Sequence, residues 1–191
     1  MGGMSAPVLY LLGSAAPPVL DAAKAVRLGQ ELGWDVVLGL TPTAADWLRE
    51  DLAELEKLTG HPVKHRYRRP GDADPLPPAD TILFAPATLN SINCLALGIT
   101  GSWAVGFAAE AIGKRIPMAV MPCTNTALTA HPQFDRSVEA MRGAGVHVLL
   151  GEGFYVPNEP GQGNPAKYPW LAALQSLTKP VQLAHGGTPC R

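Results

Sequence analysis

Residues able to do chemistry fall in four short polar stretches: Gly13-Ser14, Thr41-Pro42-Thr43, Pro86-Ala87-Thr88-Leu89-Asn90-Ser91 and Pro122-Cys123-Thr124-Asn125. Each follows an apolar run and precedes a segment with helical spacing. In an open parallel sheet, ligands bind beyond the carboxyl ends of the strands, where helix N-termini expose backbone donors and a positive dipole end. Small hydroxyls and carboxamides there suit neutral hydrogen bonding to a phosphate and to the polar edge of a ring. No stretch pairs a nucleophile with a base. A single Ser or Thr before a helix is an ordinary N-cap, but four such loops on one edge form a ligand-binding pattern.

Other side chains divide between chemistry and architecture. Glu110 and Lys114, four apart, read as a solvated helical pair. His131 before Pro132 reads as a helix start, and Trp103 as a core or interface aromatic. Cys123, at a strand end near a helix N-terminus, is open to a lowered thiol pKa. Tyr155, Asn158 and Glu159 are the candidate ligand contacts in an aperiodic loop. Cys94, Cys123 and Cys190 are widely spaced with no CxxC pair, so neither a disulfide framework nor a metal site is expected.

The elements that must position these residues are written as hydrophobic periods. Buried strands are expected at residues 8–12, 36–40, 80–85, 117–121 and 146–150, with a weaker one at 62–67. Helices are expected around Val19, Ala22, Ala23 and Val26; on a single face through Leu48, Leu52, Leu55 and Leu58; from Leu89 through Ile92, Leu95 and Ala96; over 105–112 after a break at Gly101-Ser102; and through Phe134, Val138 and Met141. Residues 122–130 are expected as a loop and 168–177 as a last helix. Alternating strands and helices imply an α/β three-layer sandwich with a mostly parallel sheet of about six strands. Residues 68–78 (RRPGDADPLPP) must be a loop. Residues 1–6 read as an N-terminal extension, 7–178 as a single domain with a flap-like loop at 151–167, and 179–191 as a flexible tail.

Composition narrows the partners. With 191 residues, 47% hydrophobic content and a net charge of -1, the chain suits one well-cored domain and gives no basic footprint for nucleic acid. No apolar stretch approaches the roughly 20 residues of a membrane helix, and the first residues lack a signal-peptide pattern, so a cytoplasmic protein with no membrane partner is expected. The first turn is not GxGxxG and no GxxxxGK[ST] occurs, which favours a mononucleotide over a dinucleotide or nucleoside triphosphate.

At these loops the sequence resembles the homo-oligomeric flavin-containing cysteine decarboxylases, the family of phosphopantothenoylcysteine decarboxylase and the lantibiotic peptidyl-cysteine decarboxylases. Pro86-Ala87-Thr88-Leu89-Asn90-Ser91 is similar to the PASANT motif, and Pro122-Cys123-Thr124-Asn125-Thr126-Ala127-Leu128 to the PxMNxxM motif. The resemblance implies a Rossmann-like flavoprotein, a homotrimer or multiple of trimers, with FMN between subunits. It implies cofactor contacts at Gly13, Ser14, Thr41, Thr43, Thr88, Leu89, Asn90, Ser91 and the Cys123 backbone, and substrate binding at Asn125. The family oxidises a cysteine carboxylate to a thioaldehyde that loses carbon dioxide. The catalytic residues stay unknown here: Asp72 occupies the position of the family histidine, His61 and His65 lie upstream, and residues 151–163 hold no clamp cysteine. The expected function is therefore FMN redox chemistry on a small or peptidic thiol or carboxylate, decarboxylase-like. The alternatives are a non-catalytic flavin-binding module and a flavin prenyltransferase, for which only Lys114, Arg115 and Arg136 are candidate phosphate ligands.

Overall fold

The computed structural model describes residues 6–177. The first apolar run forms β1, Val8–Gly13, buried at every position. A 3-10 turn over Pro17–Asp21 leads into α1, Ala22–Glu31, and then β2, Asp35–Leu40. Two short helices follow, α2 (Pro42–Trp47) and α3 (Leu52–Thr59). The chain continues through β3 (Thr81–Ala87), α4 (Leu89–Leu97), α5 (Trp103–Gly113), β4 (Met118–Pro122), α6 (Thr126–Thr129), α7 (Pro132–Gly143), β5 (His147–Val148) and α8 (Trp170–Gln175).

The strands pair in parallel in the order β2-β1-β3-β4-β5. One face packs against apolar residues of α1, α2, α3 and α8, the other against those of α4, α5 and α7. Because both faces are covered, the strands read as continuous apolar runs rather than as alternation. Gly39 in β2 is required by packing. A Cβ there would lie 2.7 Å from the Trp103 ring and 2.6 Å from Leu12, so the partly buried Trp103 packs over β2 at the margin of the core.

Four expectations are corrected. The sheet has five strands, not six, because residues 62–67 contribute only a one-residue bridge. Lys64 pairs with Gly39, donating to Leu38 O at 3.0 Å and accepting from Leu40 N at 2.7 Å. Pro62 has no N–H to extend the ladder, and Tyr67 draws the chain away by donating to Thr100 O at 2.8 Å. The single helix through Leu48 and Leu58 breaks at a turn closed by Asp51 N to Leu48 O at 2.9 Å, and the break lets both Leu48 and Leu55 reach the core. The strand expected over 146–150 is only His147–Val148, since the chain turns at Gly151, whose N–H donates to Tyr155 O. The 122–130 loop contains the one-turn α6. His131 starts α7 as expected, its Nδ1 accepting from Gln133 N at 3.1 Å, and Glu110 pairs with Lys114 at 2.6 Å. The expected tail lies outside the described residues.

Candidate functional site

The strand order sets where a ligand can sit. From β1 the chain moves outward to β2, then crosses back to β3 and proceeds to β4 and β5. The connections leaving β1 and β3 therefore diverge and open a crevice beyond their carboxyl ends, the topological switch point of a 2-1-3-4-5 sheet. A cavity of about 630 Å³ lies there. Its walls are residues 15–18 after β1, Thr88 and Leu89 after β3, and residues 123–125 after β4, with residues of the 154–169 segment closing it. That size suits a small molecule or cofactor.

Hydroxyls line up beneath the crevice. Ser14 Oγ donates to Ser91 Oγ at 2.8 Å and Thr88 Oγ1 to the same oxygen at 3.3 Å, while Thr88 caps α4 by accepting from Ser91 N at 3.4 Å. Ser14 N donates to Pro86 O at 2.8 Å and ties the ends of β1 and β3 together. Ser14 and Ser91 are almost wholly buried, and only Thr88 of the three lines the cavity. Ser91 Oγ accepts both hydroxyl–hydroxyl bonds, so the pair beneath the cavity fixes the position of the Thr88 hydroxyl in its wall.

The 151–169 segment is latched to the sheet edge rather than draped over it. Tyr155 Oη donates to Thr124 O at 2.7 Å and accepts from Thr124 N at 3.2 Å. Thr126 N donates to Asn158 O at 2.9 Å, within a parallel bridge of Asn125 with Asn158. Tyr168 Oη reaches Met121 O at 2.9 Å and packs against Tyr155 and Trp170. Burial pushes the Tyr155 hydroxyl up to about 12, with the Cys123 thiol beside it adding to the rise. Burial likewise raises the Cys123 thiol, partly offset by Tyr155, and lifts fully enclosed Tyr168 well above its ordinary range. All three groups therefore stay protonated at neutral pH, so the site offers weak acids and no thiolate nucleophile.

The residues singled out from sequence divide into three groups. Thr88, Leu89, Cys123 and Asn125 line the cavity together with Tyr155, Asn158 and Glu159. Ser14 and Ser91 sit beneath it, and Gly13 is packed so closely that a Cβ would meet Val19 at 3.0 Å. Thr41, Thr43 and Asn90 are outside it: Thr41 is half-buried before α2, and Thr43 and Asn90 are exposed. Asp72 is also outside, in an exposed turn where its carboxylate accepts from Arg69 N at 2.9 Å. His61 contacts Asp35 at 2.7 Å at the amino end of β2, whereas His65 follows the Lys64 bridge at the carboxyl end of that strand. Lys114, Arg115 and Arg136 do not line the cavity; the cation that does is Lys167. Lys167, Tyr168, Phe154 and Leu128 were not singled out from sequence, because nothing periodic marks a loop residue that folds back over a distant strand end. Among the described residues, no group of three or more His, Cys, Asp or Glu is arranged to hold a metal, and no helix is long and apolar enough to cross a membrane.

The fold has counterparts among known structures. The fold is similar to SpaF, an FMN-dependent cysteine decarboxylase, with a TM-score of 0.63 at 19% identity over 77% of this chain and 85% of that one. It is similar to the FMN binding protein AtHal3, with a TM-score of 0.63 at 17% identity over 88% and 94% of the two chains. AnUbiX (PadA1), solved in complex with FMN and dimethylallyl pyrophosphate, gives 0.60 at 12% identity over 75% and 77%. These likenesses concern the fold, and the comparison with curated proteins returned no match. The Flavoprotein family profile matches residues 9–178, nearly the whole of the α/β unit that builds the crevice, and the chain belongs to that family.

Proposed function

We propose that the chain binds FMN at the crevice between β1 and β3 and uses it in redox chemistry on a small or peptidic thiol or carboxylate. The observation that carries this reading is the cavity at the switch point, with the Thr88 hydroxyl in its wall and the Ser14–Ser91 pair holding that hydroxyl from beneath. The lining fits a flavin. Ala15, Pro17, Pro18 and Leu89 supply flat apolar surface for a ring, and Thr88 and the Cys123 backbone supply polar contacts at its rim. Pro17 and Pro18 lack N–H groups, and Ala16 N is spent on Ser14 O at 2.8 Å, so the turn after β1 suits a ring better than a phosphate. The hydroxyls of Thr41 and Thr43, neither of them tied up in capping α2, are then the candidates for the phosphate and ribityl chain. Gly13 and Ser14 hold the turn in place, and Asn90 and Ser91 complete the α4 side.

When bound, the flavin supplies a two-electron acceptor. The chain's own residues bind and orient the substrate through Asn125 and the covering segment, and Tyr155 and Tyr168 keep that segment over the cavity. Cys123 and Tyr155 are held protonated by burial and so supply no base, and the Tyr155 proton is spent on Thr124 O. A decarboxylase-like reaction is the favoured form, in a homotrimer or multiple of trimers; exposed Leu97 at the end of α4 and Ile99 just beyond it support self-association. The absence of any histidine from the cavity lining favours, as a second reading, a module that binds flavin without turnover. A prenyltransferase is disfavoured because Lys167, the one lysine in the lining, shares it with Glu159. Anaerobic mixing of the FMN-loaded protein with thiol carboxylates tests the choice: bleaching of the flavin band supports the enzyme, and tight FMN binding without bleaching supports the module.

A further inference from the structure

One polar atom at the cavity has no role in the fold. Thr124 is 8% exposed and lines the cavity, yet its Oγ1 is enclosed and has no hydrogen-bond partner among the described residues. Its nearest polar neighbours do not supply one. Tyr155 Oη is already committed to the Thr124 backbone, donating to its carbonyl and accepting from its N–H. Asn125 Oδ1 accepts from Leu128 N at 2.9 Å as the cap of α6, so the unspent half of that side chain is its NH2. An enclosed hydroxyl without a partner is destabilising, and native structures rarely keep one without a purpose. Because the Tyr155 clasp fixes the Thr124 backbone, the hydroxyl's remaining freedom is rotation about χ1, a change between staggered wells.

We propose that Thr124 is a ligand-specificity residue whose hydroxyl turns into the cavity and, beside the Asn125 NH2, donates to a carboxylate on the substrate. Two adjacent neutral donors match the two oxygens of a carboxylate. The cover contributes one cation and one anion, Lys167 and Glu159, a balance that suits a singly charged group and disfavours a phosphate ester. Leu128, Phe154 and Val156 supply apolar surface for the body of such a ligand. This assignment rests on the reading of the cavity as a substrate site and deepens it, while being separable from the identity of the cofactor.

The test compares wild type, Thr124→Val and Thr124→Ser, each saturated with FMN, by calorimetric titration with 3-phenylpropionate, phenethyl phosphate and 3-phenylpropylamine. Wild type should prefer the carboxylate, Thr124→Val should bind it about tenfold more weakly for the loss of one hydrogen bond to a charged group, and Thr124→Ser should retain it. Without ligand, Thr124→Val should melt at or above the wild-type temperature, because it removes an unpartnered hydroxyl at nearly constant shape. Equal carboxylate affinity in Thr124→Val, tighter phosphate or amine binding, or no carboxylate binding to wild type would overturn the proposal. So would melting of Thr124→Val several degrees below wild type, which would mean that the hydroxyl is already satisfied. If no variant takes up FMN, the flavin reading fails, and the same titrations and melts on the flavin-free protein still decide the role of Thr124.

Discussion

Two proline-rich loops, residues 65–79 and 151–169, carry four prolines each and have opposite fates. The first rests on the outside of α5, where the Tyr67 hydroxyl donates to Thr100 O and occupies the space a Cβ of Gly106 would need. Its carboxylate at Asp72 closes a local turn and meets no ligand cavity. The second turns back over the switch point, and its tyrosines bond to backbone carbonyls at and just beyond the end of β4. What separates them is where an aromatic hydroxyl finds its acceptor. At the sheet edge it builds a roofed cavity; on a helix flank it only tethers a loop.

Breaking the roof should cost most. Tyr168→Ala removes a buried ring and its hydrogen bonds to β4, and should destabilise the protein by about 3 to 5 kcal/mol, read from urea unfolding. The matching change in the other loop, Tyr67→Ala at a side chain exposed by more than half, should cost about 1 kcal/mol or less. Comparable losses would erase the distinction between the loops. Tyr155→Phe keeps the ring but leaves the Thr124 N–H and C=O without the hydroxyl between them, and should cost about 1 to 3 kcal/mol.

The same tyrosine gives a pH test. Folded Tyr155 keeps its proton up to about 12, whereas an unfolded tyrosine releases it near 10. Between those values the unfolded chain binds fewer protons than the folded one, so stability falls as pH rises. The contribution is fully present below about pH 10 and is lost toward about 12. Tyr10, raised to about 12 by burial and then by Asp74, adds to the same decline. Urea midpoints between pH 9 and 12 (about the span of the two values) should therefore drop less steeply in Tyr155→Phe; an unchanged slope would place Tyr155 outside the effect.

The contrast also explains what could be read from sequence. Strand runs such as Val8–Gly13 and Thr81–Ala87 were legible because a strand buried on both faces is an unbroken apolar word. The polar strand ends were legible because a short hydroxyl-bearing turn must follow each one, and Thr88, Cys123 and Asn125 did gather at one cavity. The roof was not legible. Tyr155 and Tyr168 find their acceptors 31 and 47 residues away, and no local period encodes that. For the same reason residues 62–67 looked like a sixth strand: Val63 and Lys64 do meet the β2 edge, and only the distant Thr100 carbonyl shows why the chain leaves it.

The smallest effect should come from the residue that occupies the expected histidine position. Asp72→Ala, in an exposed turn remote from the cavity lining, should change stability by no more than about 0.5 kcal/mol and leave FMN affinity as it was. A marked loss of FMN binding would show that the 65–79 loop belongs to the site after all.

The most direct test of the account is an FMN titration of the purified protein followed by flavin fluorescence and visible absorbance, run beside Thr88→Val. Wild type should show saturable quenching and a shifted flavin band, with affinity reduced roughly tenfold in the variant that breaks the hydroxyl trio. No spectral change in wild type, or equal affinity in both proteins, would contradict a flavin site at the β1/β3 crevice.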